Sequence, residues 1–426
     1  MGQPRVFIGL REIAGYFGNL KKGFDEIKVD SAFLNLGGNR FEYDSGKNPK
    51  WVVFFNKLGK SWGARFSKNF ILRFIWLSTF QNILGFFAFF FALFRYDVFV
   101  LGGNSTFFFF IDYVILKLFK KKIICVYLGS DARPMYINGF SNQNPKLAKL
   151  NRFLVWLQKR IIRFSEEKAD LCINHPPTAM FHEKDFISWL HVGVPSPQPE
   201  LKRREDRSNG VPVRIIHAPS KKGPKGTPYF ERIIERLQKK YNIEYVEISG
   251  MPHSEVLKTI ASADIALDQF FSDTPMAVFS TECSFQKVPV VVGTYYSESI
   301  KKDYAPSVIP PTVFVHPNDV ESRLEELIID SNLRRSIGEE AYTYVNKNWG
   351  CRIVAEKYLK LLNGDYPESW VFKVNDLQYI NGIGLPEKNL KIKVKEFLSG
   401  GKTKALQLDD KPKLKKAYLD LINEKG

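Results

Sequence analysis

VRIIHAPSKKGPKGTPYF at 213–230 and SDTPMAVFSTECSFQKVPVVVG at 272–293 decide how this chain is read. The first is an apolar strand-like run, a loop bearing lysine and glycine, and the start of a helix-like run. The second follows the strand-like ADIALDQ, opens another helix-like run and closes on the apolar VPVVVG. Loops of this kind aim backbone N–H groups and the positive end of a helix at the carboxyl edge of a sheet, where a phosphate can sit. Lys225 adds a fixed cation beside one helix start. Glu282, a turn or two inside the other helix, could accept the hydroxyls of a ribose whose phosphates lie nearer the helix start. Read alone, each has a plain alternative: Lys225, with Lys221 and Lys222, as a solvated basic turn, and Glu282 as an exposed helical glutamate.

The surrounding chain alternates strand and helix. VRIIHAP, IEYVEIS, ADIALDQ, VPVVVG and TVFVHP are strand-like, with helical runs near 226–240, 253–262, 276–286, 319–330 and 331–347. An earlier series, RVFIGL, VDSAFLNLG, DVFVLGG, KIICVYLGS, ADLCINHP and ISWLHVG, alternates in the same way. Continuous apolar strands belong to parallel sheets covered on both faces. Between the two series, PSPQPELKRREDRSNGVP has no period and reads as a linker. The expected fold is therefore α/β, with two Rossmann-like domains whose parallel sheets face a central cleft, plus a C-terminal helical extension. The N-terminal domain takes 1–195, the linker 196–212, the nucleotide-binding domain 213–363 and a lysine-rich extension 364–426, helical at KPKLKKAYLDLI. At 426 residues, each domain can bury its own core.

The net charge of +17 is unevenly placed. From Ser45 to Tyr96 there are Lys47, Lys50, Lys57, Lys60, Arg65, Lys68, Arg73 and Arg95 and no Asp or Glu, with Trp51, Trp62, Phe66, Phe70, Phe74 and Trp76 interleaved. Membrane-interfacial segments are composed this way. Single-stranded nucleic acid is the rival partner, but it would leave 213–293 unexplained, so no nucleic acid is expected. FIWLSTFQNILGFFAFFFALF at 74–94 is uncharged over almost the length of a bilayer span. Ser78, Thr79, Gln81 and Asn82 interrupt it, and the strand DVFVLGG needs a helix before it. A span is disfavoured, while a core helix and an interfacial helix both remain open. The four cysteines show no CxxC spacing, the six histidines no ligand spacing, and the N-terminus no signal-peptide order. These point to a cytoplasmic setting, peripheral at the inner face of the membrane, and to no metal.

In the first domain, REIAGYFGNLKKGF puts Gly15, Gly18 and Asn19 in a loop after the first strand, facing the cleft. LGSDAR at 128–133 brings in Asp131, either a catalytic carboxylate or a helix cap. His217, ending the strand before the lysine loop, is a core or a site residue.

HAPS followed by KKGPKGT, then ADIALDQ, then the helix bearing Glu282 and ending QKVPVVVG together resemble GT-B glycosyltransferases; 213–363 is similar to the C-terminal domain of their retaining, family 4 type. The resemblance implies that Lys225, assisted by Lys222, binds the diphosphate of a nucleotide-sugar donor and that Glu282 contacts its ribose. ISGMPHSE, with Gly250 and Met251, corresponds to the loop beside the nucleobase, and the Gly15 loop lies near acceptor and phosphates. Ser220 stands where the family has an arginine. Thr274, followed by Pro275, Met276 and Ala277, stands where a sugar-contacting glutamate and a Gly-Phe-Gly turn are usual. The implied reaction moves a sugar to a glycan, lipid-linked or protein acceptor with retention and without a metal cofactor, the lysine and helix dipole stabilising the departing diphosphate. The replacements at 220 and 274 keep a catalytically inactive, GT-B-like glycan- or partner-binding protein as the alternative.

Overall fold

A computed structural model describes residues 3–36, 70–141, 147–198, 211–399 and 403–423, with side chains of the helix Phe70–Arg95 described from Asn82 onward. The first sheet holds β1 (Val6–Leu10), β2 (Ser31–Asn35), β3 (Val98–Gly102), β4 (Lys122–Val126), β5 (Leu171–Asn174), β6 (Phe186–Ser188) and β12 (Val371–Phe372) in the order β12-β6-β5-β4-β3-β1-β2. All its pairs are parallel except β12 with β6. The second holds β7 (Val213–His217), β8 (Ile243–Glu247), β9 (Ile265–Leu267), β10 (Val290–Gly293) and β11 (Val313–Val315) in the wholly parallel order β11-β10-β9-β7-β8. In each, the strand order reverses beside the series' first strand, at β1 and at β7. Such reversals splay the following loops apart and open a crevice at the carboxyl edge.

The strands are apolar throughout because both faces are covered. Val6, Ile8, Val98, Val100 and Ile124 pack with Phe17, Leu20 and Phe24 of the helix Tyr16–Glu26. Phe7, Phe99, Leu101 and Ile123 pack on the opposite face with Leu84, Phe89 and Leu93 of Phe70–Arg95. In the second sheet, Ile215, Leu267 and Val291 meet the helices Thr227–Leu237 and Val320–Ile329, and Ile216, Ala266 and Val290 meet Ile260 of the helix His253–Ala261. The five helices expected after 213 form at Thr227–Leu237, His253–Ala261, Val278–Phe285, Val320–Ile329 and Ser331–Asn348.

ISWLHVG, expected as a strand, is a strand only through Ser188; Trp189–Val192 turns into helix and Gly193 leaves it at φ 98. A side chain at Gly193 would stand 2.4 Å from the Trp349 ring, so the exit needs glycine on both counts. The C-terminal part returns to the first sheet. The helix Cys351–Asn363 lies on Tyr16–Glu26, with the Tyr16 and Tyr358 hydroxyls 3.0 Å apart and Gly23 so close to the Cys351 carbonyl that any side chain there would clash. β12 then extends the first sheet, and the helix Pro412–Asn423 buries Leu414, Tyr418 and Leu421 in its core while Lys413 and Lys416 face outward. The linker's 199–210 and the basic stretch through 69 lie outside the described residues.

Candidate functional site

A cavity of about 500 Å³ opens between the carboxyl edges of the two sheets, within the roughly 300–1,000 Å³ usual for small-molecule sites. Ser220, Lys225, Gly250, Met251, Thr274, Ala277 and Glu282 line it from the second sheet, and Ile13, Ala14, Tyr16, Leu128, Trp189 and Val194 from the first. Residues chosen from three separate loops therefore share one wall.

Lys225 ends the short helical turn Lys222–Lys225, and Gly226, at φ 74, starts the helix Thr227–Leu237. A Cβ at 226 would stand 2.3 Å from that of Phe270, so the chain passes only as glycine. The Lys225 Nζ donates to the Asp268 carboxylate at 2.5 Å, and the Ser280 hydroxyl donates to the other Asp268 oxygen at 2.6 Å. Burial works to raise the Asp268 carboxyl, but the Lys225 charge and these hydrogen bonds outweigh it and hold it below its ordinary value. Asp268 thus fixes the cation at the cavity wall. Its sequence signal was one carboxylate closing the apolar run ADIALD. His217 proves to be a core brace: its Nδ1 lies 2.8 Å from the Leu267 carbonyl and its Nε2 2.8 Å from the Thr227 hydroxyl, and burial lowers it to about 4, leaving it neutral.

Glu282 sits inside the helix Val278–Phe285 and pairs with His253 Nε2 at 2.7 Å. Burial raises its carboxyl, opposed by His253. His253, the first residue of the helix His253–Ala261, also lines the cavity and was quoted in ISGMPHSE without a role. Thr274 lines the cavity with a buried hydroxyl that has no hydrogen-bond partner among the described residues. A buried orphan hydroxyl is unfavourable unless a ligand satisfies it.

Other expected residues stand elsewhere. Lys222 turns away to Glu247 at 2.8 Å. Pro275 offers its carbonyl to Thr312, and Met276 is fully buried in a core that residues of both units share. Gly15, Gly18 and Asn19 do not line the cavity; the Glu12 carboxylate accepts the N–H groups of Ile13 at 2.9 Å, Phe17 at 3.2 Å and Gly18 at 2.9 Å, so an internal anion already caps that helix start. Asp131 accepts backbone N–H groups of Leu128, Gly129 and Ala132 and lies outside the cavity, acting as a brace for its own turn rather than a free catalytic group. Arg133, two residues on, crosses to Asp273. Among the described residues, no cluster of His, Cys, Asp and Glu could hold a metal ion.

No family model matches the chain, and no curated protein matches it. Solved structures of similar chain path include HepE from Anabaena in complex with UDP and glucose, 9 % identical with a TM-score of 0.48 over 85 % of this chain and 100 % of that one. WaaG, a glycosyltransferase involved in lipopolysaccharide biosynthesis, is 10 % identical with a TM-score of 0.44 over 84 % and 99 %. A glycosyltransferase from Rickettsia africae is 12 % identical with a TM-score of 0.43 over 86 % and 99 %. Likenesses this distant leave the functional argument to the site itself.

Proposed function

We propose that this protein is a glycosyltransferase of GT-B architecture that takes a sugar from a nucleotide donor bound in the inter-sheet cavity. The supporting observation is that Lys225 and Glu282, nominated from separate segments, line one cavity at the edge where parallel sheets bind ligands. Lys225, held by Asp268, meets the diphosphate, and its charge stabilises the departing diphosphate more than the bound donor. Glu282 with His253 meets the ribose, the Gly250–Met251 loop the base, and Thr274 offers a hydroxyl to the sugar in place of a carboxylate. Retention as in family 4 and independence of metal belong to the same reading. So does an acceptor (a glycan, a lipid-linked glycan or a protein) presented at the cytoplasmic face of a membrane. A screen of nucleotide sugars for thermal stabilisation and hydrolysis tests it, since a ligand that binds the native state raises its apparent stability by mass action. Stabilisation by no nucleotide or nucleotide sugar would remove it.

A second reading is a non-catalytic nucleotide- or glycan-binding protein. It is favoured by Thr274 and by Asp273, the nearest other carboxylate, being occupied by Arg133. Tight nucleotide binding with no turnover on any acceptor would select it.

A further inference from the structure

From residues 82 to 119, one side of the first unit is covered by exposed apolar rings. In the helix Phe70–Arg95, Leu84, Ala88, Phe89, Ala92 and Leu93 enter the core, whereas Phe87, Phe91 and Phe94 on the other side are 65–68 % exposed. The face continues across chain segments. Asn82 accepts the Phe109 N–H at 3.2 Å, the Phe86 and Phe108 rings lie 5.4 Å apart, and Phe94 meets Phe119 at 6.1 Å. Phe109, Leu118 and Phe119 add exposures of 69 %, 74 % and 51 %. Gly85 lets the helix touch the Phe107 carbonyl, where no side chain would fit, and Phe109 and Phe110 take φ of 49° and 62°, a backbone unfavourable for bulky residues. The turn thus holds Phe109 outward against its local preference.

A patch of this extent marks a contact surface, and its charges indicate the partner. Between 82 and 119 the only acids are Asp97 and Asp112. Asp97 is paired with Arg5, and Asp112 is buried on the Phe107 N–H. Near the rings in sequence stand Lys120, exposed, with Arg95 and Lys117, which reach Asp30 and Asp170, and Lys121, largely buried beside Asp97, and the segment leading into the helix is acid-free and basic in sequence from Ser45. A second copy of this chain, equally basic, would bring like charges together. An anionic bilayer surface offers acyl chains to the rings and phosphate headgroups to the rim. Among the described residues, no helix is long and apolar enough to cross a membrane.

We infer that the ring face formed by the helix Phe70–Arg95, the turn 107–110 and the helix Ile111–Leu118 lies in the interface of an anionic membrane, parallel to its plane. This deepens the membrane half of the proposed function and is independent of the donor half. The test is flotation of the full chain with vesicles of phosphatidylcholine alone and with phosphatidylglycerol, for the wild type and for Phe87→Ser/Phe91→Ser/Phe94→Ser. These three side chains are mostly outside the core, so the fold is retained; a thermal melt and the nucleotide titration on the same samples check this and report the donor reading separately. The wild type should float with the anionic vesicles and the triple variant at least about tenfold less, with the exposed Lys120→Glu intermediate and more salt-sensitive. Equal flotation of the wild type and the triple variant, or no flotation of the wild type, would overturn the inference. So would a concentration-dependent dimer that the triple variant abolishes.

Discussion

Arg133, after β4, donates its Nε–H at 2.9 Å to the Asp273 carboxylate, after β9, in an ion pair that joins the two units with side chains 4 % and 2 % exposed. The Asp273 carbonyl lies 2.8 Å from His175 Nε2. Removing one partner of a buried pair leaves an uncompensated charge and costs about 3–5 kcal/mol, whereas replacing both with apolar groups can be close to neutral. Arg133→Ala should therefore lower stability by about that amount in denaturant unfolding, and Arg133→Met with Asp273→Leu should recover most of it.

Two buried histidines set an acid limit. Burial lowers His217 from 6.5 to about 4 and His175 from 6.5 to about 3. Each stays neutral in the fold while the unfolded chain takes up a proton, so the stability they contribute is complete above pH 6.5 and is lost as pH falls toward 4 and 3. Urea midpoints measured from pH 7.5 down to about 4.5 should fall steadily below pH 6.5. His217→Gln, which keeps a hydrogen-bonding side chain without the titration, should flatten part of that slope.

Glu12 occupies the start of the helix Tyr16–Glu26 as a bound anion would. Its removal should lower stability by about 1–2 kcal/mol, the usual cost of losing a helix cap. If the donor phosphates bind at Lys225 alone, Glu12→Gln should leave nucleotide affinity within about twofold of wild type, less than 0.5 kcal/mol. A clear rise in affinity would instead assign a phosphate to this loop.

The orphan Thr274 hydroxyl should matter for the sugar and not for the nucleotide. Thr274→Val should weaken a nucleotide sugar by about 1 kcal/mol, the net worth of one neutral hydrogen bond, and leave the matching nucleoside diphosphate unchanged. Thermal-shift or calorimetric titration of the two ligands side by side reads the difference.

Strand and helix periodicity, together with the lysine loop, made the main strands of both sheets and the cavity wall that carries Lys225 and Glu282 legible in the sequence, because a strand buried on both faces leaves an apolar run and the loops at its carboxyl end carry the polar residues. What was not legible depends on neighbours distant in sequence. The role of Asp268 follows from β9 lying beside β7, which puts it against Lys225. Glu12 looks like any polar residue before a helix until its own loop folds back on it, and the glycine loop was therefore expected to be open to phosphate. Asp131 had a helix cap as its alternative, and it forms neither a cap nor a free carboxylate but a brace for its own turn, holding the N–H groups of Leu128, Gly129 and Ala132. The lysines of the C-terminal part hid the Leu414, Tyr418 and Leu421 stripe that carries it back to the first sheet.

The central claim is that Lys225 holds a diphosphate and Glu282 a ribose in one cavity. Calorimetric titration of the nucleoside diphosphate that best stabilises the protein, alongside its phosphate-free nucleoside, against wild type, Lys225→Ala and Glu282→Ala tests it most directly. Lys225→Ala should weaken the diphosphate by about 1.5–3 kcal/mol, the range for a hydrogen bond to a charged group, and leave the nucleoside unchanged; Glu282→Ala should weaken both. Equal affinities across all three proteins, with their folds intact, would contradict the account.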